Sequence, residues 1–352
     1  MPRTLQINNT CISDESDCFV IAEIGHNHMG DLDVAKSMFR VAKECGVDAV
    51  KLQKRDNRSL FTEAMFNSPY ENENSYGPTY GLHREALEFG VDQYRALKQY
   101  ASELGLIFFA TAFDIPSANF LAELDMPAYK VASGDLTNIP LIRHLATFNR
   151  PLILSTGGAT MDDVHRAYEC LVAVGAQFSF LQCTATYPSE PEDMDLAVIP
   201  TYRELFPDTV IGLSDHHNGI ALTMVAYTLG ARIVEKHFTL NRAWKGTDHA
   251  FSLEPGGLRR LVRDLKRARV AMGSSAKRRF PKEVAPIQKM AKQIVALRNL
   301  SAGHVLSASD VTLKSPGGGL LPYQLESILG RRLVHPVAVD EAIRFEHLET
   351  PS

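Results

Sequence analysis

Along the first 240 residues, ionisable and hydroxyl side chains interrupt short apolar runs, and they do so near the ends of those runs. They are Glu23, Asn27 and His28, then Lys51 and Gln53, Thr111, Lys130 and Ser133, Ser155 and Thr156, Tyr187, Ser214 and His216, and Glu235 and His237. Ser214 and His216 are two residues apart, as are Glu235 and His237. On an extended chain each pair shares a face, while His217 points the other way or lies past the strand end. If both pairs face inward from adjacent strands, two imidazoles and a carboxylate converge. That is a partial shell for a divalent transition ion with open positions. The same two histidines would also fit a hydrogen-bonded polar core. Lys51 and Lys130 lie inside apolar runs, where a lone ammonium is costly unless an anion or a carboxylate compensates it. Hydroxyls at Thr111, Ser133, Ser155 and Ser214 supply what a phosphate pocket needs around such point charges, although each serine alone fits a strand-end cap as well.

The elements that must position these residues follow from the runs themselves. Eight Val-, Ile- and Phe-rich segments start near Phe19, Ala49, Leu106, Ala128, Pro151, Phe178, Thr209 and Arg232, each followed by a turn and a stretch of helical periodicity. After the first, Asp31 or Asp33 can cap a helix, Ala35, Met38, Phe39 and Ala42 share one face, and Gly46 can end it. Eight such units in about 250 residues predict a (β/α)8 TIM barrel rather than an open doubly wound sheet. An extra hairpin is expected before the first strand.

A long polar insertion, roughly residues 55 to 88, reads as an active-site lid or an interface element, or else as a disordered surface segment. The last barrel helix is expected from about Leu258 to Met272. We place the catalytic domain at residues 1–273, a basic, proline-containing linker at 274–290, and a small β-rich domain at 291–352, built on the runs IVALRNL, VTLK and RRLVHPVAV. The chain has 352 residues, 45% hydrophobic and 22% charged, with a formal net charge of −4. Such a balance excludes a general attraction to nucleic acid or anionic membrane, so any bound anion must meet a local site. Five cysteines without ligand-like spacing predict free thiols in a reducing compartment. No apolar stretch approaches the roughly 18 residues needed to span a bilayer, and a cytoplasmic protein is expected.

The segments AEIGHNHMGDLDVAKSM, AVKLQK, FFATAFD, YKVASGD, ILSTGG, QCTATYP, IGLSDH, VEKHFTL and WKGTDHAFSLEP resemble, in order, the N-acetylneuraminate (sialic acid) synthase family. The carboxyl-terminal part resembles that family's antifreeze-like (SAF, β-clip) domain. The resemblance implies condensation of phosphoenolpyruvate with an N-acylated amino sugar to a nine-carbon 2-keto acid. It implies His216 and His237 as ligands of a divalent metal, manganese first and magnesium or cobalt as substitutes, with Glu235 holding a metal-bound water. It assigns Lys51, Thr111, Lys130, Ser133, Ser155 and Ser214 to phosphoenolpyruvate, and Gln53, Asp135, Tyr187 and Asp248 to the sugar. Glu23 matches a carboxylate near the reacting centre. The family's homodimer, in which each small domain covers the partner's barrel mouth, is implied as well.

Two positions depart from the pattern of many bacterial members: Ala185 stands where they carry an asparagine, and Ser315 where they carry an arginine. The insertion and the WKGTDH segment look closer to animal-type synthases, which use N-acetylmannosamine 6-phosphate, so sugar phosphorylation is left open. Rival readings are a legionaminic or pseudaminic acid synthase, another phosphoenolpyruvate–aldose condensing barrel, and a non-catalytic carbohydrate-binding barrel.

Overall fold

The computed structural model describes residues 2–350, which divide into two compact units, one up to Gly273 and one from Ser274. The first unit opens with an antiparallel hairpin, β1 (Thr4–Ile7) and β2 (Thr10–Ser13), as expected. Eight parallel strands follow: β3 (Phe19–Gly25), β4 (Ala49–Lys54), β5 (Ile107–Ala112), β6 (Tyr129–Val131), β7 (Leu152–Ser155), β8 (Phe178–Cys183), β9 (Val210–Asp215) and β10 (Ile233–His237). They close into a barrel in sequence order, with β10 returning to pair with β3.

Strand parity sorts the side chains. Val20, Ala22 and Ile24 of β3, Val50 and Leu52 of β4, and Phe108 and Ala110 of β5 belong to the outer core, packed with the helices. The helix Leu32–Cys45 shows how the sequence builds that layer. Asp31 caps it through Asp33 N and Val34 N, Ala35, Met38, Phe39 and Ala42 are buried, and Gly46 ends it in the left-handed region. The alternate positions point into the barrel. Its lower part is apolar, with Phe19, Ile21, Ala49, Phe109, Ala128, Ile153, Leu181, Val210 and Ile233 packed on Leu5, Ile7 and Ile12 of the hairpin. The hairpin thus plugs the amino-terminal mouth. Gly212 allows the close approach of strands there, since a Cβ on it would lie 2.4 Å from the Ile233 carbonyl oxygen and 2.5 Å from the Leu181 side chain. One step higher along each strand, the inward positions turn polar.

The 55–88 insertion is ordered, which overturns the reading of a disordered segment. It carries three short helices, Asn57–Leu60, Glu63–Phe66 and Tyr80–Glu85, capped by Asp56, Thr62 and Thr79. It is fastened to the loop after β10: Tyr76 Oη donates to the Lys245 carbonyl (2.7 Å), and Gly246 N donates to Asn74 Oδ1 (2.9 Å).

The second unit pairs β11 (Gln293–Ala296) with β12 (Val311–Lys314). The stretch read as a linker contains the helix Val284–Met290. The run RRLVHPVAV makes isolated bridges only, such as Leu300 with Val337 and Leu333 with Leu348. Ile294, Ala296, Leu306, Ile328, Leu333 and Ile343 are among its buried core residues. Asp310 is a buried anchor that accepts from Arg298 (2.6 Å), His304 (2.9 Å) and the backbone and hydroxyl of Ser307. Burial alone would raise its carboxyl. The hydrogen bonds from His304, Ser307 and Arg298 outweigh that and hold it well below the ordinary 3.8. A depressed folded value gives stability that is present above the unfolded value and is lost as pH falls through the folded one. Asp310→Asn is therefore expected to cost this unit about 2 kcal/mol near neutrality and to flatten the acid limb of its pH–stability curve. Denaturant titrations from pH 7 down to about pH 1.5, through the window below the unfolded value, check both effects, and an unchanged acid limb would remove Asp310 from the account.

Candidate active site

A cavity of about 470 Å3 opens at the carboxyl ends of the barrel strands. The inward positions just above the apolar floor line it: Glu23, Lys51, Gln53, Thr111, Lys130, Ser155, Cys183, Ser214, His216, Glu235 and His237. Ser133, Ala185, Tyr187 and Asp248 reach it from the loops. Of the residues singled out for metal and substrate, all but Asp135 line this cavity. Asp135 instead ends the short 3-10 turn Ser133–Asp135 and accepts from Asn138 Nδ2 at 3.1 Å. Burial raises its carboxyl. Other strand-end polar residues serve the scaffold. Asn27 donates to the Phe238 carbonyl and Ser252, His28 stacks on Phe89, and Thr156 donates to the Leu181 carbonyl. His217 bonds through Nδ1 to the Ser189 carbonyl and does not line the cavity, as its parity requires.

The two buried lysines differ in their compensation. Lys51 Nζ lies 2.7 Å from Glu23 Oε2 and 3.7 Å from Glu235 Oε1, and donates to Thr111 Oγ1 at 2.8 Å. Lys130 Nζ donates to Ser155 Oγ (2.7 Å) and the Val131 carbonyl (2.9 Å), with no carboxylate within 4 Å among the described residues. An ammonium buried with neutral acceptors alone is a place for an anion. Burial lowers the affinity of Lys130 for its proton.

The carboxylates are likewise split by environment. Burial pushes Glu23 up to about 7, and the pull of Lys51 does not cancel it. Burial acts on Glu235 in the same sense, but Lys130, Lys51 and the two histidines outweigh it and keep that carboxyl below its ordinary range. One carboxyl near neutrality beside an ionised one is the pattern of groups with separate proton roles. Gln53 Nε2 donates to Glu23 Oε1 at 2.7 Å, and Gly25, at φ 53°, lets Gln53, Glu23 and Asp248 crowd together.

His216 and His237 face each other with ring centroids 5.4 Å apart. His216 Nδ1 is 2.8 Å from the Thr184 carbonyl oxygen, which can only accept, so Nδ1 carries a proton and Nε2 is the nitrogen turned away from that bond. The buried His237 Nδ1 and Glu235 Oε2 have no hydrogen-bond partner, and Asp248 Oδ2 stands 3.8 Å from that Nδ1. Orphaned buried acceptors and an oriented imidazole fit a divalent ion. Among the described residues no cluster of three or more His, Cys, Asp or Glu stands ready as a closed metal site, so water or substrate oxygens would complete the coordination.

The structure adds lining residues not singled out from the sequence: Arg55, Arg84, Phe113, Cys183 and Thr247. Arg55 continues the parity of Lys51 and Gln53, a signal that was present. Arg84 comes from the insertion, where spacing carries no such signal. All five cysteines are free, and no described helix is long and apolar enough to cross a membrane.

A closed parallel barrel with ionisable groups gathered at the carboxyl ends of its strands is the architecture of a barrel enzyme. Residues 38–277 match the NeuB family and residues 292–349 match the SAF domain. The chain belongs to the NeuB family. It is 42% identical to the N-acetylneuraminate-9-phosphate synthase of Homo sapiens, over 95% of this chain and 94% of that protein. It is 33% identical to the N,N'-diacetyllegionaminic acid synthase of Legionella pneumophila, over 94% of this chain and 95% of that protein. A solved N-acetylneuraminic acid synthetase of Leptospira borgpetersenii, crystallised with citrate, superposes with a TM-score of 0.72 at 30% identity, covering 82% of this chain and 96% of that one. The protein is thus an enzyme of the sialic, legionaminic and pseudaminic acid synthase type.

Proposed function

We propose that this enzyme condenses phosphoenolpyruvate with an N-acylmannosamine-type sugar, forming an N-acylneuraminate-type 2-keto acid and phosphate in a reducing, cytoplasmic setting. The observation that carries this reading is one cavity holding a buried ammonium at Lys130 with no carboxylate within 4 Å, two facing imidazoles and two differently tuned carboxyls. Carbon 3 of phosphoenolpyruvate bonds to the sugar's aldehyde carbon, carbon 2 takes up water, and the bond from carbon 2 to the phosphate oxygen breaks. A divalent ion held by His216 and His237, manganese in the first instance, would supply Lewis-acid polarisation of the aldehyde.

The chain's own residues do the rest. Lys130, Ser155, Lys51 and Thr111 hold the phosphoenolpyruvate anion against the barrel floor. Glu23, with its carboxyl near neutrality, takes the proton of the adding water, and Gln53 fixes its orientation. Asp248 and Tyr187 stand where sugar hydroxyls would lie. Ala185 also lines the cavity, and by the family pattern the missing amide alters contacts to the sugar. Phosphate release measured against mannosamine-derived sugars, with the product's mass, tests the reading. Release with no sugar in such a panel, including legionaminic and pseudaminic precursors, would leave a binding-only barrel.

The proposal includes a homodimer in which the second unit closes the partner's barrel and excludes water. Removing the chain from Ser275 onward is expected to leave a folded barrel, since the first unit has its own core, with turnover reduced at least about 100-fold. Circular dichroism and phosphate release check this. Full activity in the shortened protein would sink the capping arrangement.

A further inference from the structure

Behind the two facing imidazoles lies a buried ion pair that does not line the cavity. Asp215 ends β9, Lys236 stands one residue before the end of β10, and the two are partners in the last rung of the β9–β10 ladder. Their parity is opposite to that of Ser214, His216, Glu235 and His237, so both side chains leave the barrel for the outer layer. There Lys236 Nζ lies 2.8 Å from Asp215 Oδ2, and each side chain is 1% exposed. Thr223 Oγ1, from the helix Ala221–Thr228, donates to the same carboxylate oxygen at 2.6 Å.

The pair also grips the chain next to His216. Asp215 Oδ1 accepts from His217 N at 2.8 Å, and Lys236 Nζ donates to the His217 carbonyl. Both backbone groups of His217 are thereby taken up by one ion pair. His216 needs such a hold, because it stands one residue past the end of β9 and beyond the last rung. His237 is still within β10, where it pairs with Glu23 of β3, and Leu253 N donates to its carbonyl at 2.8 Å. One imidazole is therefore set by a strand ladder and the other by side chains. Asp215 adjoins His216 in the chain and Lys236 adjoins His237, so a single contact ties the two donors together.

Stability alone does not account for charges at this place. Two ions taken out of water lose hydration that their attraction only roughly returns, and a well-packed apolar pair of similar volume is often as stable or more so. What an apolar pair lacks is direction, since it would answer neither the N–H nor the carbonyl of His217. The best-attested service of buried polar contacts is to fix register. Register at this seam decides where the His216 ring stands relative to that of His237, 5.4 Å away between centroids.

We propose that Asp215 and Lys236 are positioning residues that set the spacing and aim of the His216 and His237 imidazoles, and through them the hold on a divalent ion. The inference rests on the metal reading above and deepens it. The test compares the unsubstituted enzyme with the double variant Asp215→Leu/Lys236→Met, which removes both charges and leaves neither unpaired. Denaturant unfolding, manganese calorimetry and steady-state kinetics are read on the same samples. The magnetic resonance signal of the His216 Nδ1 proton, in metal-free protein with nitrogen-labelled histidine, gives a readout independent of ion and turnover. The double variant is expected to unfold at a similar denaturant concentration, to bind manganese about 10–100-fold more weakly and to lose kcat at least about 10-fold. The KM for phosphoenolpyruvate should move little, because Lys51 and Lys130 keep their partners. The His216 Nδ1 proton, bonded to the Thr184 carbonyl in the intact site, should exchange faster with water. Asp215→Asn keeps the side chain's shape but weakens its hold on Lys236. It serves where the double variant fails to fold, with the same losses in smaller measure.

Unchanged manganese affinity together with an unchanged His216 signal in a folded variant overturns the proposal. So does a loss of phosphoenolpyruvate binding as large as that of manganese, since the pair would then brace the barrel as a whole. If the unsubstituted enzyme holds no divalent ion, the metal reading falls by itself, and the His216 signal still decides whether the pair positions that ring.

Discussion

On the proposed metal assignment, alanine at His216 or at His237 is expected to remove a divalent ion and turnover together, while alanine at His217 should leave metal content nearly unchanged. The barrel offers two imidazoles at this point, and the loss of either leaves too few protein donors to retain an ion against water. A lost supporting contact around a metal typically weakens it about 10–100-fold, so loss of a ligand should exceed that. His217 is the internal control because its ring bonds to the Ser189 carbonyl outside the cavity. Metal content after dialysis against manganese, with phosphate release on the same samples, decides the matter. Full occupancy in both single variants, or loss confined to the His217 variant, would refute the ligand assignment.

The two buried lysines are expected to fail in different ways. Lys130→Met raises the KM for phosphoenolpyruvate about 100-fold and costs the barrel less stability than Lys51→Met, because Lys130 has no carboxylate within 4 Å and only its longer-range pull on Glu235 is lost. Lys51→Met also weakens phosphoenolpyruvate binding more than sugar binding. It additionally strips the counter-charge from Glu23, 2.7 Å away, and from Glu235, 3.7 Å away. Removing one member of a buried pair costs about 3–5 kcal/mol, offset here in part by protonation of Glu23. Denaturant unfolding of the two variants beside steady-state kinetics separates the effects. Equal stabilities would mean that Lys51 does not neutralise the carboxylates, and an unchanged KM in Lys130→Met would remove it from the phosphate cradle.

Strand parity made most of the site readable from the chain. In a parallel barrel both faces of each strand are buried, so an inward polar residue stands out against an apolar run, as Lys51, Lys130 and Glu235 do. Parity also put Ser214 with His216 and sent His217 away. It was silent where the chain leaves the strands. Asp135 follows Lys130 by five residues, but the turn at Ser133–Asp135 rotates it to Asn138 and away from the cavity. Arg84 owes its position to packing within the insertion, where a Cβ on Gly81 would lie 2.3 Å from the Phe66 ring. In the small unit, RRLVHPVAV has the composition of a strand, yet it pairs only through isolated bridges around a small core. Composition reports burial there rather than pairing.

The return of β10 to β3 sets an order in time as well as in space. During synthesis Glu23, Lys51 and Lys130 emerge early, but β10, which carries Glu235 and His237, follows the seven other strands of the barrel. Until β10 docks between β9 and β3, Lys51 lacks Glu235 and His216 lacks its facing ring. An unfinished chain therefore holds the parts of a phosphate cradle without the parts that would react, and no truncated translation product ending before residue 233 can turn over substrate. Closing the last seam of the barrel and assembling the reaction centre are the same event.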